Sequence, residues 1–339
     1  MLARTMLART MLARTTLART TLALTTLALA ATAMPAAEAA GGSTGSSAGH
    51  LGAGTVATSG VWASAGGVRT ASAGVRAAAL PTVTCRAAEG FSRLTSGPLF
   101  RLSDSAPLGA ANTMTELGQV GSGWTGTTFA WIGSGGDGVV YGLTWAGEIK
   151  WYRYNPGTSS WRPGSGTVIG RGFTPKTKVV NISLGGDGRF YIVRSTGELV
   201  IYRHTGRLTG AATWANSSGW KIGTGWTASE ILIPNGDGTL YRQYQGALYW
   251  YRHTDPALGA VTWRARQTIG SGWKFYDVLP AGGGVLYATE GGSGTVRVYR
   301  HADPVGGTKV WAASTGVVKM TARPDSYGIT VDPLACTAT

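Results

Sequence analysis

The sequence predicts an all-β chain built as a five-bladed β-propeller and closed by a disulfide between its ends. Three observations carry this. A four-element pattern recurs at 46–50 residues; the chain has 53 glycines in 339 residues; its two cysteines stand at the two ends of the patterned region. Glycine at roughly double its usual share of about 7% suits many short strands joined by tight turns and disfavours long helices. Charged residues make up 14% of the chain and hydrophobic ones 43%, which excludes a chain disordered throughout.

The repeat justifies the blades in order. A Gly-rich turn leads into a Tyr-bearing strand in GGDGVVYGL, GGDGRFYIV, NGDGTLYRQ and AGGGVLYAT. The tyrosines are Tyr141, Tyr191, Tyr241 and Tyr287, spaced 50, 50 and 46 residues apart. Glycines 147, 197, 246 and 294 then turn the chain into a second strand (EIKWYRY, ELVIYRH, ALYWYRH, TVRVYRH). A lone tryptophan follows (Trp161, Trp214, Trp263, Trp311), then a G-x-G aromatic ending at Phe173, Trp226 and Trp273. A worn fifth unit stands first, with Phe100 at the tyrosine position, Met114 at the tryptophan position and GSGW ending at Trp124. Units of this length and strand content are what propeller blades require, and a blade buries its faces only by stacking in a ring. The tail PDSYGITVDPLAC either completes the first blade as a strand or begins a partial sixth blade.

Cys85 and Cys336 bracket nearly the whole repeat region. In a ring the first and last strands meet, so the two are expected to pair; two unlinked buried thiols are the alternative.

Residues 1–39 read as a signal peptide. An arginine-bearing stretch of five-residue repeats (MLART, TLART and variants) precedes the apolar run Thr20–Ala33, then Pro35 and the small-residue site Ala37-Glu38-Ala39. The run is short for a membrane span, so no membrane span is expected after processing. Residues 40–84, rich in Gly, Ala, Ser and Thr, read as a flexible linker, and residues 85–339 as the propeller. A secreted, extracellular protein is expected. The net charge is +14; without residues 1–39, 26 basic residues face 15 acidic ones. Such a balance favours anionic polymers, but the basic residues are scattered rather than clustered, and nucleic acid is not an expected partner.

The combination of GDGxxY, a Gly-turned strand ending in WYRH, and GSGW resembles the tachylectin-2-like lectins over about residues 86–335. The resemblance implies a five-bladed propeller with sugar sites between neighbouring blades. It also implies multivalent recognition of N-acetylhexosamine-type glycans bearing GlcNAc or GalNAc, as on cell surfaces and cell walls. The first unit and the stretch after Trp311 depart from the pattern, so fewer than five sites are expected to be competent.

A pyranose wants an aromatic platform beside a carboxylate or amide. The repeat offers both in the G-x-G aromatics Trp124, Phe173, Trp226 and Trp273 and the acidic turns Asp137, Asp187 and Asp237. Each aromatic with the aspartate that follows it is the expected sugar contact. A structural reading competes: a Gly-Asp-Gly turn caps a strand, and a periodic aromatic packs a blade core. The lone tryptophans and the repeat tyrosines are assigned to the core, and the Tyr-Arg pairs either brace strands or bind anions. His204, His253 and His301 occupy one repeat position, which the ring separates, so neither a metal site nor a catalytic triad is expected. No unique carboxylate pair stands outside the repeat, so neither an enzyme nor a cofactor is expected. A non-catalytic protein-interaction scaffold is the alternative function, and a propeller glycoside hydrolase or lyase a more distant one.

Overall fold

The computed structural model describes residues 79–339, apart from 229–230, 237, 257–260, 292 and 324, and leaves the side chain of Tyr327 undescribed. The expected signal peptide, and the linker up to residue 78, lie outside the described residues.

The described residues form five antiparallel sheets, each built around four strands, and a two-stranded ribbon that joins the two ends of the described region. Blade 2 comprises Phe129–Gly136, Val139–Thr144, Ile149–Asn155 and Thr167–Gly170, with the short Ser160–Trp161 added at its edge. Blade 3 comprises Val179–Leu184, Arg189–Arg194, Leu199–Arg203 and Trp220–Gly223. Blade 4 runs through Ile231–Pro234, Thr239–Tyr244, Ala247–His253 and Trp263–Ser271. Blade 5 runs through Asp277–Gly282, Val285–Thr289, Thr295–Arg300 and Val317–Thr321. The first strand of each touches its counterparts in the neighbouring blades, so these five strands line the central axis.

Blade 1 takes its inner strand from the far end of the chain. Ser326–Val331 pairs with Ala88–Leu94, which continues through Leu99–Asp104 to Met114–Gly121. The tail therefore completes the first blade rather than starting a sixth. The ribbon Val83–Cys85 with Cys336–Ala338 lies just beyond it, cross-linked by the Cys85–Cys336 disulfide. One detail of the first unit differs from expectation. The partner of Tyr191 across its strand pair is Ile201, and the equivalent pairing in blade 1 is Phe91 with Arg101. Phe91, not Phe100, thus holds the tyrosine position, because the second strand of this blade starts almost directly after Cys85.

Repeat aromatics seal the joints between blades. The indole N–H of each lone tryptophan donates to a carbonyl near the end of the preceding blade's outer strand. Trp161 reaches Val120 (2.6 Å), Trp214 Ile169 (2.9 Å), Trp263 Ile222 (2.6 Å) and Trp311 Ile269 (2.9 Å). Each indole thus adds apolar area and satisfies its one donor in the same contact. The repeat tyrosines are buried, and two of them tie neighbouring blades through repeat histidines. Tyr141 meets His204 Nδ1 at 2.9 Å, and Tyr241 meets His301 Nδ1 at 2.9 Å. At the joint between blades 5 and 1, Tyr287 donates instead to Asp104 at 2.6 Å, and buried Lys319 stands 3.5 Å from the same carboxylate. The Lys319 ammonium is further held by the carbonyls of Ala106 and Ala110 and the hydroxyl of Thr113. A buried charge survives only with such a full set of partners.

Among the described residues no helix is long and apolar enough to cross a membrane.

Candidate functional site

Each inner strand has its N-terminal end at one face of the disc and its C-terminal end at the other. The G-x-G aromatics precede the inner strands, and the Gly-Asp-Gly turns follow them. Trp124 and Asp137 flank the eight-residue strand Phe129–Gly136. At about 3.3 Å per residue that strand spans roughly 25 Å. The aromatic loops lie against the hairpin turns of the other edge: the amides of Trp124, Phe173, Trp226 and Trp273 donate to the carbonyls of Gly97, Gly147, Gly197 and Gly246. Trp124 and Phe173 are thus separated from Asp137 and Asp187 by the length of an inner strand.

On the aromatic face, Trp124, Phe173, Trp226 and Trp273 are all at least nine-tenths buried, wedged against a Tyr of the next blade. The ring pairs are Trp124 with Tyr152 (4.6 Å), Phe173 with Tyr202 (5.2 Å), Trp226 with Tyr251 (5.3 Å) and Trp273 with Tyr299 (5.0 Å). Three of these four joints are filled further. Phe129 stacks on Trp124 at 5.0 Å, Phe275 packs against Trp273 at 5.3 Å, and the Arg242 guanidinium lies 5.0 Å over Trp226. At the joint between blades 2 and 3 a cleft of about 300 Å³ remains beside Phe173.

On the aspartate face two cavities open between blades at corresponding joints; they share the repeat positions of Phe91 with Tyr191 and of Pro156 with Pro256, whereas Asp137 comes from the later blade of its joint and Asp187 from the earlier blade of its own. The first lies between blades 1 and 2, holds about 220 Å³, and is lined by Phe91, Tyr154, Arg86, Arg101, Glu89 and Asp137 among others. The second lies between blades 3 and 4, holds about 260 Å³, and includes Asp187, Arg189, Tyr191, Thr239 and Pro256. Each offers an aromatic wall, a carboxylate and a guanidinium. A wider cavity of about 650 Å³, lined by Arg153, Arg162 and Trp161, adjoins the first and shares Asp137, Tyr154 and Pro156 with it. Asp237 lies outside the described residues.

Charge pairing sets these carboxylates. Asp137 bonds Arg86 at 3.0 Å and Arg207 at 2.9 Å, while its backbone N–H donates to Asp332 at 3.2 Å. Burial pushes its carboxyl up, but the two guanidiniums outweigh that and hold it below the usual range. Asp187 bonds Arg189 at 2.8 Å and faces Arg203 at 3.8 Å. Burial pushes the Tyr191 phenol beside it up to about 12, leaving a neutral O–H donor. Burial likewise raises Asp332, whose side chain is 4% exposed. Arg86 and Asp332, neighbours of the two ends of the closing ribbon, had no repeat signature; only the ring closure brings them to Asp137.

The tail that closes the ring also covers the axis on this face. Leu334 sits where a Cβ on Gly136 or Gly186 would lie 2.8 Å and 2.3 Å from its side chain, so both positions need glycine. The axial cavity behind it holds about 320 Å³. Among the described residues no three or more His, Cys, Asp or Glu side chains form a group that could hold a metal ion.

The Tachylectin family model matches residues 94–322. Solved structures with similar folds include a chain described through the de novo evolutionary emergence of a symmetrical protein. It shares 18% identity at a TM-score of 0.47, over 71% of this chain and 97% of that one. The periplasmic gluconolactonase of Pseudomonas aeruginosa shares 15% at 0.37, over 71% and 69%. A Trichoderma reesei carbohydrate-active enzyme of family AA12 shares 12% at 0.35, over 73% and 88%. No curated protein matches the chain. The structural likenesses are too distant to bear on chemistry.

Proposed function

The chain belongs to the tachylectin family, and from that premise we propose that it is a secreted, multivalent, non-catalytic lectin for N-acetylhexosamine-type glycans bearing GlcNAc or GalNAc. The observation that carries the proposal is the pair of inter-blade cavities at corresponding joints of the aspartate face, each with a carboxylate, a guanidinium and an aromatic wall although the charged groups come from different repeat positions. Volumes of about 220 and 260 Å³ suit one pyranose unit and fall below the roughly 300–1,000 Å³ usual for drug-sized ligands. In this reading Asp137 and Asp187 accept sugar hydroxyls, the flanking arginines donate, and Phe91, Tyr154 and Tyr191 cover a C–H face. Asp237 takes the same role by repeat equivalence. Trp124, Trp226 and Trp273 position the blades that form the cavity walls, and Phe173 lines the open cleft on the other face. The signal peptide and the linker to residue 84 deliver the disc outside the cell, where its disulfide persists.

One such site binds at about the millimolar level, roughly −4 kcal/mol. Several on one rigid disc raise avidity by about 10²–10⁴ on a surface dense in the same sugar. Retention on GlcNAc-agarose with elution by free GlcNAc tests the reading. Asp137→Asn and Asp187→Asn each weaken retention and together weaken it further, because a hydrogen bond to a charged group contributes about 1.5–3 kcal/mol. Unchanged retention of the folded double variant would refute the site assignment. A glycan array with no signal would point to the protein-interaction scaffold instead.

A further inference from the structure

We infer that the cleft between blades 2 and 3 on the aromatic face is a separate site selective for an acidic sugar, a pyranose carrying a carboxylate or sulfate. The inference rests on the carbohydrate-binding reading but uses other residues on the other face, so the two can fail separately.

The cleft exists because two side chains are smaller here than at the joint before it. Phe173 stands where blades 1 and 2 have Trp124, and Val179 pairs with Arg194 where Phe129 pairs with Thr144. An indole becomes a phenyl and a phenyl becomes an isopropyl, which removes the stacked pair that fills the first joint. The floor left behind is apolar and aromatic, with Phe173 and Tyr202 at 5.2 Å. Ser195 and Thr196 line one wall, giving hydroxyl partners for a sugar rim.

The same exchange that opens the cleft changes its charge. Arg194 replaces a threonine, and Lys178 and Arg171 line the opposite side. Arg194 bonds Glu198 at 3.3 Å, and Arg171 bonds Glu148. Lys221 stands 3.7 Å from Glu198 as well, and Lys176 lies 5.2 Å over the Trp145 ring. Lys178 has no acidic partner among the described residues. Three cations thus line an aromatic-floored cleft, and Lys176 and Lys221 stand near them, against two carboxylates. That surplus attracts an anion, and the floor and hydroxyls select one carried on a sugar ring rather than a bare ion.

The test is a methyl-NMR titration of the full chain, read at Val179, Ile192 and Val200, which line the cleft. The probes are methyl β-glucuronide, glucose 6-sulfate and methyl β-glucoside, at low and at physiological salt. The expected result is binding of one or both anionic sugars at least about tenfold tighter than the neutral one, weakening as salt rises. Binding of only one anion identifies its substituent. Phe173→Trp restores the filler used at the three other joints, so it should fold, and it is expected to weaken binding at least about tenfold. Lys178→Gln is expected to cost about fivefold while GlcNAc-agarose retention stays unchanged. Equal affinity for the neutral glucoside, no binding of either anion, or full affinity in Phe173→Trp would overturn the inference.

Discussion

Replacing Cys85 and Cys336 together by serine is expected to lower thermal stability sharply while leaving the folded structure intact. The folded state retains the ribbon Val83–Cys85 with Cys336–Ala338, and Thr82 and Thr339 exchange two further backbone hydrogen bonds at 2.9 Å. The change falls mainly on the unfolded chain, which is freed from a loop whose ends are 251 residues apart. In the chain-entropy model a loop of that length is worth about 5.5 kcal/mol at 25 °C. For a domain of this size each kcal/mol moves Tm by roughly 2 °C, so a drop of about 10 °C is expected. The urea m-value should rise as well, because an unlinked unfolded chain exposes more surface. Differential scanning calorimetry and urea titration of the wild type and the double variant measure both quantities, with near-ultraviolet circular dichroism confirming native packing. A Tm shift below about 3 °C, or an unchanged m-value, would refute the reasoning that closure acts through the unfolded ensemble.

Three further outcomes are expected. Trp263→Phe removes the indole bond to the Ile222 carbonyl and shrinks the ring stacked on His253 at 4.8 Å; it should cost about 1–3 kcal/mol, read as a lower urea midpoint. Tyr241→Phe leaves His301 Nδ1 buried without its hydroxyl partner, with a similar cost of about 1–3 kcal/mol by the same assay. Burial raises the folded pKa of Asp277 to about 6, against 3.8 for the free side chain. Because the folded pKa is the higher one, the group destabilises the fold progressively as pH rises from about 4 to 6. Asp277→Asn should therefore stabilise the protein by about 1–3 kcal/mol at pH 7 and little at pH 3.5, and an equal gain at both would contradict the cause given.

The ring was legible in the sequence because its marks are backbone requirements and bulky packing groups: turn glycines, a Tyr strand, a lone tryptophan. The same logic placed Met114 correctly, since it faces Asp104 across its strand pair as Trp214 faces His204. The site was harder to read for a geometric reason. Trp124 and Asp137 are close in sequence, yet the strand between them crosses the thickness of the disc. In a propeller the neighbours of an inter-blade cavity come from residues about 50 apart or from opposite chain ends, as Arg86 and Asp332 do around Asp137. Asp104 and Lys319 escaped notice because each breaks the repeat alone. Only their meeting at the last joint turns two exceptions into one ion pair.

The provenance of the first blade's inner strand also sets the order of events during synthesis. Until Ser326–Val331 has been made, Ala88–Leu94 has an open edge where its partner belongs, and the ring has a gap. Four blades can form hairpins as they emerge, but the disc locks only when Ser326–Val331 arrives. Until then the ring is open at one joint. It also exposes a bare strand edge that invites pairing with another unfinished copy. The same wiring makes Ser326–Val331 a checkpoint: a chain cut short before it leaves its first blade without an inner strand.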